Sequence, residues 1–528
     1  MKKEINLVVE PKIAFNEQFL KQSISEEIGL NAEDFSFELV RRSIDARSKT
    51  IKVNVKVAVY IQEIVPEKQF AISYKNVSES TKTVVIVGSG PAGLFAALRC
   101  LEIGIKPIVI ERGKEVRARR RDLADLNKNH LVNPESNYCF GEGGAGTYSD
   151  GKLYTRSSKR GDIEKILQTF VLHGAGNDIL IDAHPHIGTN KLPKIIETIR
   201  ERILENGGEF LFEHKLIDIE IQKDSVKKIV IQNQNSVSEF TMDVECLILA
   251  TGHSARDIYE LLDKKGIEIE AKPFAMGVRA EHPQELIDRI QYHCGSMNEL
   301  IAKRAYLPAA SYSLVHQSRG RGVYSFCMCP GGIIAPCATG EEEIVTNGWS
   351  PSKRNNPYAN SGVVVGFELI DFKIKPEINK ALFGLETQKE LEKRAWIAGG
   401  KTQTAPAQRM LDFINNKVSS SLPNCSYHPG IVSANLHEVL GSFITPRLKE
   451  GLENFGKKMK GYVSNESVLV GVESRTSTPV RIPRNPESCE HVRIKGLFPC
   501  GEGAGFAGGI VSAAMDGERV VNAISKKN

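Results

Sequence analysis

The sequence predicts an α/β fold built around a Rossmann-like nucleotide-binding unit, and three observations support that prediction. A run of β-branched residues, Val84–Val87, has the pattern of a buried parallel strand and leads directly into a glycine-rich turn. An apolar helical pattern follows the turn, and a second apolar run then ends at Glu111. This order of strand, turn, helix and strand with a final acidic residue is typical of dinucleotide-binding folds.

The three glycines of the turn have separate expected roles. Gly88 makes the tight turn, Gly90 lets backbone N–H groups approach a pyrophosphate, and Gly93 lets the helix pack on the strand. The helix N-terminus then faces the phosphates with its partial positive charge, and Glu111 accepts a hydrogen bond from a ribose hydroxyl. The residues predicted to contact a dinucleotide here are Gly88, Gly90, Pro91, Ala92, Gly93, Glu111 and Arg112.

Glycine-rich segments far apart in the sequence are predicted to close around the same ligand. The segment 141–152 offers backbone N–H groups, hydroxyls and a lysine, although a flexible surface loop is the alternative. Strands of the nucleotide-binding fold are predicted at 227–232 and 245–252. The second ends in Ala-Thr-Gly, and a late glycine pair precedes a helix of small residues. The contacts predicted from these segments are Gly143, Gly144, Thr147, Lys152, Thr251, Gly252, Gly501, Glu502, Gly508, Gly509 and Ile510.

The length of 528 residues exceeds what one hydrophobic core usually serves, so two or three domains are expected. Strand and helix patterns over 4–9, 16–28, 35–42 and 50–61 predict a small N-terminal β-α-β-β domain within 1–80. We place the nucleotide-binding domain at 81–270 and 460–528. An α+β substrate domain is expected as an insertion at 271–459.

The composition is that of an ordinary globular protein, with 41% hydrophobic and 25% charged residues. A formal net charge of +5 on this length does not argue for nucleic acid. The ten cysteines are scattered without a CxxC pair, which fits a reducing cytoplasm. We see no signal-peptide pattern, no apolar run long enough to span a membrane and no metal-ligand spacing, so we expect a cytoplasmic protein without a membrane span or metal.

Long motifs extend the comparison beyond the glycine turn. The segments Phe140–Leu153, Gly471–Arg481 and Gly501–Gly509 together resemble an uncharacterised family of bacterial FAD-dependent dehydrogenases. The chain also resembles flavoproteins with two dinucleotide-binding domains, and its Gly501-Glu502 is similar to the fumarate-reductase and aspartate-oxidase pattern, where a glutamate holds the ribityl chain. The resemblance implies FAD and redox chemistry. It also aligns Leu216 with the position whose backbone contacts adenine, although an ordinary strand residue is equally compatible.

Four residues are candidates for the chemistry itself, namely Cys327, Cys329, Glu473 and Arg475. The two cysteines are either redox-active thiols facing the flavin or, as we favour, small apolar residues on one face of a buried strand. A Cys-x-Cys disulfide would also close a cramped ring. Glu473 and Arg475 are either groups that orient substrate and stabilise reduced flavin or a buried ion pair supporting the fold.

Basic residues suggest a second hypothesis, a flavin-bearing factor that binds RNA or a protein. They lie in the N-terminal unit, at Arg41, Arg42, Arg47 and Lys49, and in the run Arg117–Arg121. We expect the run to form an exposed helix face, and the N-terminal strands lack evident aromatic stacking pairs. Nucleic acid is therefore not the expected partner.

The predicted function is that of a FAD-dependent oxidoreductase, which exchanges a hydride at flavin N5 with a small organic substrate bound between FAD and the inserted domain. We expect noncovalent FAD because no His or Cys occupies an obvious tethering position. Without a second strand–GxGxxG–helix, NAD(P)H is expected at most as a transient electron donor. The further alternative is a thiol oxidoreductase that uses Cys327 and Cys329. The sequence does not indicate an oligomeric state.

Overall fold

The computed structural model describes residues 1–67, 70–155, 160–372 and 376–527. At its centre lies a five-stranded parallel sheet, which confirms the predicted Rossmann-like fold. The strands, in order across the sheet, are Leu497–Pro499, Leu247–Leu249, Thr83–Val87, Lys106–Glu111 and Glu209–Phe212. The carboxyl ends of parallel strands meet at one edge, so the loops that follow these distant segments are brought together.

The helix Pro91–Ile103 follows the strand Thr83–Val87 and is buried along most of its length. It packs against the C-terminal helix Ile510–Lys527, where a Cβ on Gly517 would lie only 2.1 Å from the carbonyl oxygen of Ala92. The small residues predicted for the C-terminal helix are therefore needed for close helix packing as well as for its position at the ligand site.

The N-terminal unit has the predicted β-α-β-β order, with one additional short helix. Its sheet has three antiparallel strands, and the strand Lys52–Ile61 lies in the centre. Ile24 and Val53 are fully buried between the helix and the sheet. The elements are the strands Lys2–Val9, Phe35–Asp45 and Lys52–Ile61 and the helices Pro11–Ala14 and Glu17–Ile28.

A seven-stranded mixed sheet takes its strands from residues 274–473, between the segments of the parallel sheet. Its strand order is Val315–Ser318, Arg321–Cys329, Tyr358–Phe367, Phe274–Pro283, Val468–Glu473, Ala405–Arg409 and Ile431–Ser433. The long helix Leu436–Lys458 contributes to the core beneath this sheet. The domain boundaries stay a prediction, but this sheet is a second structural layer beside the nucleotide-binding fold.

A smaller antiparallel sheet contains His214–Gln222, Ser225–Asn233 and Glu239–Asp243. The strand predicted at 227–232 thus lies outside the parallel sheet, because it pairs with its neighbours in sequence. Two short pairs join Glu270–Ala271 to Val480–Arg481 and Ile333–Pro336 to Thr346–Trp349. The other helices are Val116–Asn129, Ile163–Leu172, Leu192–Glu205, Arg256–Lys264, Gln284–Gln291, Met297–Arg304, Phe383–Ala398 and Met410–Ile414. Within the described ranges, no helix has both the length and the apolar character that a bilayer crossing requires.

Candidate cofactor site

One cavity of about 390 Å³ lies at the carboxyl edge of the parallel sheet, within the size range of ligand pockets. The glycine-rich segments meet along it. A Cβ built on Gly144 would lie 3.2 Å from the Cα of Gly90, and one on Gly146 would lie 3.3 Å from Pro91 and 3.7 Å from Ile510. Three segments that are distant in sequence therefore form one continuous wall.

Most of the residues predicted to form the site line this cavity. They are Gly88, Gly90, Pro91, Ala92, Glu111, Arg112, Gly144, Lys152, Leu216, Thr251, Gly252, Cys327, Glu502, Gly508, Gly509 and Ile510. Seven others are absent from its lining, namely Gly93, Gly143, Thr147, Cys329, Glu473, Arg475 and Gly501. The assignment of all these residues to FAD stays a prediction, but their positions separate ligand-facing groups from supporting ones.

Several predicted contacts that lie behind the cavity wall hold its loops in place. A Cβ on Gly93 would approach the carbonyl oxygen of Gly88 to 1.9 Å, and one on Gly143 would approach the Thr147 hydroxyl to 2.1 Å. The Thr147 hydroxyl donates to the carbonyl of Glu142 at 2.7 Å and is fully buried. The Gly501 N–H donates to Asp516 at 2.8 Å. In this structure these residues shape the loops from behind.

The Glu111 carboxylate joins two of the loops. One oxygen accepts from the Ser89 N–H at 3.0 Å and the Ser89 hydroxyl at 2.7 Å, and the other accepts from the Gly113 and Gly141 N–H groups at 2.9 and 3.0 Å. The side chain also lines the cavity. Its contact with a ribose stays a prediction, whereas its role in positioning the glycine-rich loops follows from these four hydrogen bonds.

Arg119 was missed as a site residue, because the run Arg117–Arg121 was expected to form an exposed helix face. That expectation is wrong for Arg119, which is fully buried. Its guanidinium donates to the carbonyls of Asn137 at 2.7 Å and of Glu142, Tyr138 and Gly144 at 2.9 Å. A buried cation is acceptable here because carbonyl groups of one glycine-rich loop surround it.

At one end of the cavity, charged side chains form a small network. Arg112 lies over the Phe140 ring at 4.2 Å and pairs with Glu135 at 2.5 Å and Asp257 at 2.9 Å. Lys215, next to Leu216, pairs with the same two carboxylates at 2.8 and 3.2 Å. The network joins the strand that carries Leu216 to Arg112, which directly follows the strand Lys106–Glu111.

Bare glycine faces make the cavity suitable for a dinucleotide. No atom lies within 4 Å of a Cβ built on Gly252, Gly508 or Gly509, and the nearest atom to one on Gly90 is 4.0 Å away. The helix Ile510–Lys527 begins at the cavity, where its unpaired N–H groups favour negative charge. Space, backbone donors and a helix terminus together fit a long phosphate-bearing ligand.

His253 was also missed, although it directly follows the predicted Ala-Thr-Gly. Its Nε2 lies 3.8 Å from Glu502 Oε1, and both side chains line the cavity. Burial, helped by Arg475 and Arg256, lowers the pKa of His253 to about 3. Burial raises the pKa of Glu502 to about 7, against the opposing charge of Lys272. Near neutral pH, His253 is therefore uncharged and Glu502 is the titrating group.

Glu473 and Arg475 do not pair with each other. Glu473 accepts from Arg279 at 3.0 Å, and both side chains are buried. Arg475 pairs with Glu392 at 2.9 Å and Glu343 at 2.7 Å. Glu473 and Arg475 thus belong to two separate groups of ion pairs, and neither side chain lines the cavity. Across the described part of the chain, no three His, Cys, Asp or Glu side chains cluster as metal ligands do.

Comparison with known proteins gives the family. A model described as FAD-dependent protein, C-terminal domain-like, matches residues 273–476, and a FAD binding domain matches 83–121. A domain of unknown function matches 1–60. An uncharacterized protein of Clostridium beijerinckii is 41% identical over 531 residues, which cover 96% of each chain. The chain belongs to this FAD-dependent family.

The predicted resemblance to an uncharacterised FAD-dependent family is thereby confirmed. More distant likenesses are limited. A thiamine thiazole synthase of Methanococcus vannielii is 24% identical over 209 residues, covering 38% of this chain and 68% of that protein. A flavoprotein/dehydrogenase structure from Cytophaga hutchinsonii has a TM-score of 0.36 and 11% identity, covering 84% of this chain and 79% of that one.

Proposed function

We propose that this flavoprotein holds FAD noncovalently and exchanges a hydride at flavin N5 with a small organic substrate. The substrate binds between FAD and the inserted seven-stranded sheet. One observation carries the proposal: the cavity is lined both by the glycine-rich loops of the parallel sheet and by Phe326 and Cys327 of the inserted sheet. A ligand held by the loops therefore faces a second wall that can select a substrate.

Each part of the cavity matches one part of FAD. The loops at Gly90 and Gly144 would hold the pyrophosphate, and the backbone at Leu216 would lie beside adenine. Gly508, Gly509 and the helix that begins at Ile510 would hold the flavin end, where N–H groups stabilise negative charge. When bound, FAD supplies the hydride-transfer chemistry that amino-acid side chains lack.

Glu502 is the group that we assign to proton transfer. Its carboxyl lines the cavity, and a pKa of about 7 lets Oε1 hold or release a proton near neutral pH. His253 Nε2, 3.8 Å away, is uncharged over the same range and therefore does not compete for the proton. NAD(P)H would act as a transient electron donor from the open side of the cavity.

The proposal is tested by the absorbance spectrum of the purified protein after loading with FAD. We expect flavin bands with about one FAD per chain, release of the flavin on acid precipitation, and anaerobic bleaching by a substrate or by NADH or NADPH. A protein that shows no flavin bands after loading contradicts the proposal. Flavin that stays with the acid precipitate contradicts only noncovalent binding.

A pH titration of the bound flavin spectrum tests Glu502. Ionisation near pH 7 places a negative charge beside the flavin, so a spectral transition is expected near that pH. The raised pKa also means that ionisation costs stability, which is lost as pH rises from about 4.5 through about 7. Glu502→Gln should abolish the spectral transition.

The matched control is Glu281→Gln. The pKa of Glu281 is also raised to about 7 by burial, but its carboxylate accepts from Ser426 and does not line the cavity. This variant should keep the transition. A transition that survives in Glu502→Gln would assign the titration to another group.

A further inference from the structure

Two thiols of the inserted sheet lie beside a cation from the glycine-rich loop. Lys152 Nζ is 3.7 Å from Cys327 Sγ and 3.6 Å from Cys329 Sγ, so one ammonium group contacts both sulfurs. Cys327 and Lys152 line the cofactor cavity, whereas Cys329 is fully buried behind it. The thiols therefore have unequal access to a ligand, and both lie in reach of the same positive charge.

The backbone at these thiols departs from a regular strand. Residues two apart in a strand are separated by about 6.6 Å, at the upper limit of what a disulfide spans. Here the pairing with Tyr358–Phe367 shifts register between Phe326 and Cys329, and Cys327 has a left-handed φ of 47°. A non-glycine residue in that region is strained, and such residues are concentrated at functional sites. The backbone at Cys327 is therefore not held in the extended geometry that keeps residues two apart at this distance.

A buried arginine maintains this conformation. Arg279 is fully buried, and its Nη2 donates to the Cys327 carbonyl at 2.7 Å while lying 3.5 Å from Cys329 Sγ. Its Nη1 donates to Glu473 at 3.0 Å. Arg279 thus joins the carboxylate predicted as a chemical group to both cysteines, a connection that the separation in sequence concealed.

The charges around the thiols favour one anion. Three cations, Lys152, Arg279 and Arg354, are matched by two carboxylates, Asp150 and Glu473. Burial raises the pKa of Glu473 to about 7, so it is only partly ionised near neutral pH. The cluster therefore carries excess positive charge, which a thiolate would neutralise.

The pKa values of the two thiols are shifted in opposite directions. A hydrogen bond from Cys329 lowers the pKa of Cys327, and Lys152 and Arg279 act in the same direction against burial. The same hydrogen bond raises the pKa of Cys329, and burial adds to that effect. A thiolate at the cavity with a protonated thiol behind it is the arrangement of an attacking and a resolving cysteine.

We propose that Cys327 and Cys329 are a redox-active pair that exchanges two electrons with the bound flavin. When the Cys327 thiolate and the Cys329 thiol form a disulfide, they lose two electrons and one proton, which bound oxidised FAD would accept. In the reverse direction the disulfide would accept two electrons from reduced FAD and one proton, and so return to the Cys327 thiolate and the Cys329 thiol. The corresponding substrates are small thiols and disulfides able to reach Cys327 Sγ. This inference rests on the FAD-dependent function proposed above.

An anaerobic reductive titration of the air-oxidised, FAD-loaded protein tests the pair. Wild-type protein should take up about four electrons per FAD, two for the flavin and two for the disulfide. Cys327→Ser and Cys329→Ser should each take up about two. The control Cys294→Ser should behave as wild type, because Cys294 is a half-buried thiol outside the cavity that contacts the Tyr292 carbonyl.

A second readout needs no turnover. A long-wavelength absorption from thiolate beside oxidised flavin is expected when the cysteines are reduced, and it should persist in Cys329→Ser but vanish in Cys327→Ser. Should the serine variants fail to fold, peptide mapping of oxidised wild type replaces them, with a Cys327–Cys329 disulfide expected. The proposal of a redox-active pair is overturned if oxidised wild-type protein takes up only about two electrons per FAD, or if no such disulfide is found. In either case, bound FAD would leave the proposed function standing. Absence of bound flavin refutes that function instead.

Discussion

Replacing Gly90 with valine is expected to weaken FAD binding at least about a hundredfold, equivalent to about 3 kcal/mol, while the chain still folds. The backbone at Gly90 has an ordinary φ of −70°, which valine can adopt. The nearest atom to a Cβ built there is the Gly144 Cα at 4.0 Å. The protein alone therefore leaves room for the first carbon of the side chain, and the larger group extends into the space assigned to the pyrophosphate.

The neighbouring glycines of the same turn are different. Gly88 has a φ of 103°, and a Cβ there would lie 2.4 Å from the Ala250 carbonyl oxygen. A Cβ on Gly93 would lie 1.9 Å from the Gly88 carbonyl oxygen. Substitution of either residue would disturb folding whether or not FAD is present, so Gly90 is the position that isolates cofactor binding.

The measurement is the dissociation constant of FAD from flavin fluorescence, together with a thermal melt of the unloaded protein. Gly90→Ala should weaken binding less than Gly90→Val. Gly295→Val is the control, because that residue is exposed and the nearest atom to its Cβ is 3.7 Å away. Unchanged FAD affinity in a folded Gly90→Val protein would show that the ligand does not pass this turn.

Glu392→Gln is expected to lower the free energy of unfolding at neutral pH by about 3 kcal/mol. The Glu392 side chain is fully buried and accepts from Arg256 at 2.8 Å, from Arg475 at 2.9 and 3.1 Å, and from the Ser474 hydroxyl at 2.6 Å. Removing its charge leaves two buried guanidinium groups with insufficient compensation. Glu343 contacts both arginines but is 21% exposed, so it cannot replace the lost charge in the interior.

The pH dependence of unfolding gives an independent check. Burial acts to raise the pKa of Glu392, but Arg256 and Arg475 outweigh it and lower the pKa to about 2, from 4.5 in the unfolded chain. A lowered folded-state pKa means that the stabilisation is complete above pH 4.5 and is lost as pH falls towards 2. The difference of about 2.5 pH units corresponds to about 3 kcal/mol. The variant should lack this part of the acid sensitivity.

Glu386→Gln is the matched control on the same helix, Phe383–Ala398. Glu386 pairs with Lys389 at 3.0 Å, but both side chains are partly exposed, and such pairs contribute at most about 1 kcal/mol. Urea unfolding of the two variants at several pH values makes the comparison. A Glu392→Gln protein no less stable than Glu386→Gln would show that the buried pairs do not support the native state.

The nucleotide-binding unit was predictable because its signals are local. The run Val84–Val87, the turn after it and the apolar helical pattern are consecutive, and their periodicity fixes both element type and order. The late glycine pair likewise predicted a helix, which the structure places at Ile510–Lys527. By contrast, the strand predicted at 227–232 was correct in type but lies in a separate antiparallel sheet, since partner choice depends on the turns beside it.

The site was predicted less completely. Arg119, in a five-residue run that contains four arginines, resembles part of a solvated helix face, because the four carbonyls that surround it belong to residues 137–144. His253 had a usable signal, since it directly follows a motif that ends at a ligand. Glu473 and Arg475, two residues apart, suggested a mutual pair, but their partners Arg279 and Glu392 lie at least about 80 residues away in the sequence.

Backbone requirements of this protein could be predicted from short stretches of chain, because a turn that lacks side chains or a strand that leads into a helix is encoded by consecutive residues. Charge environment required the folded chain. The Lys152 ammonium, the Cys327 and Cys329 thiols and the Arg279 guanidinium come from three separate segments, and their interaction depends on distances of a few ångströms. Coulomb interactions and desolvation depend on those distances and on burial, which no periodicity in the sequence encodes.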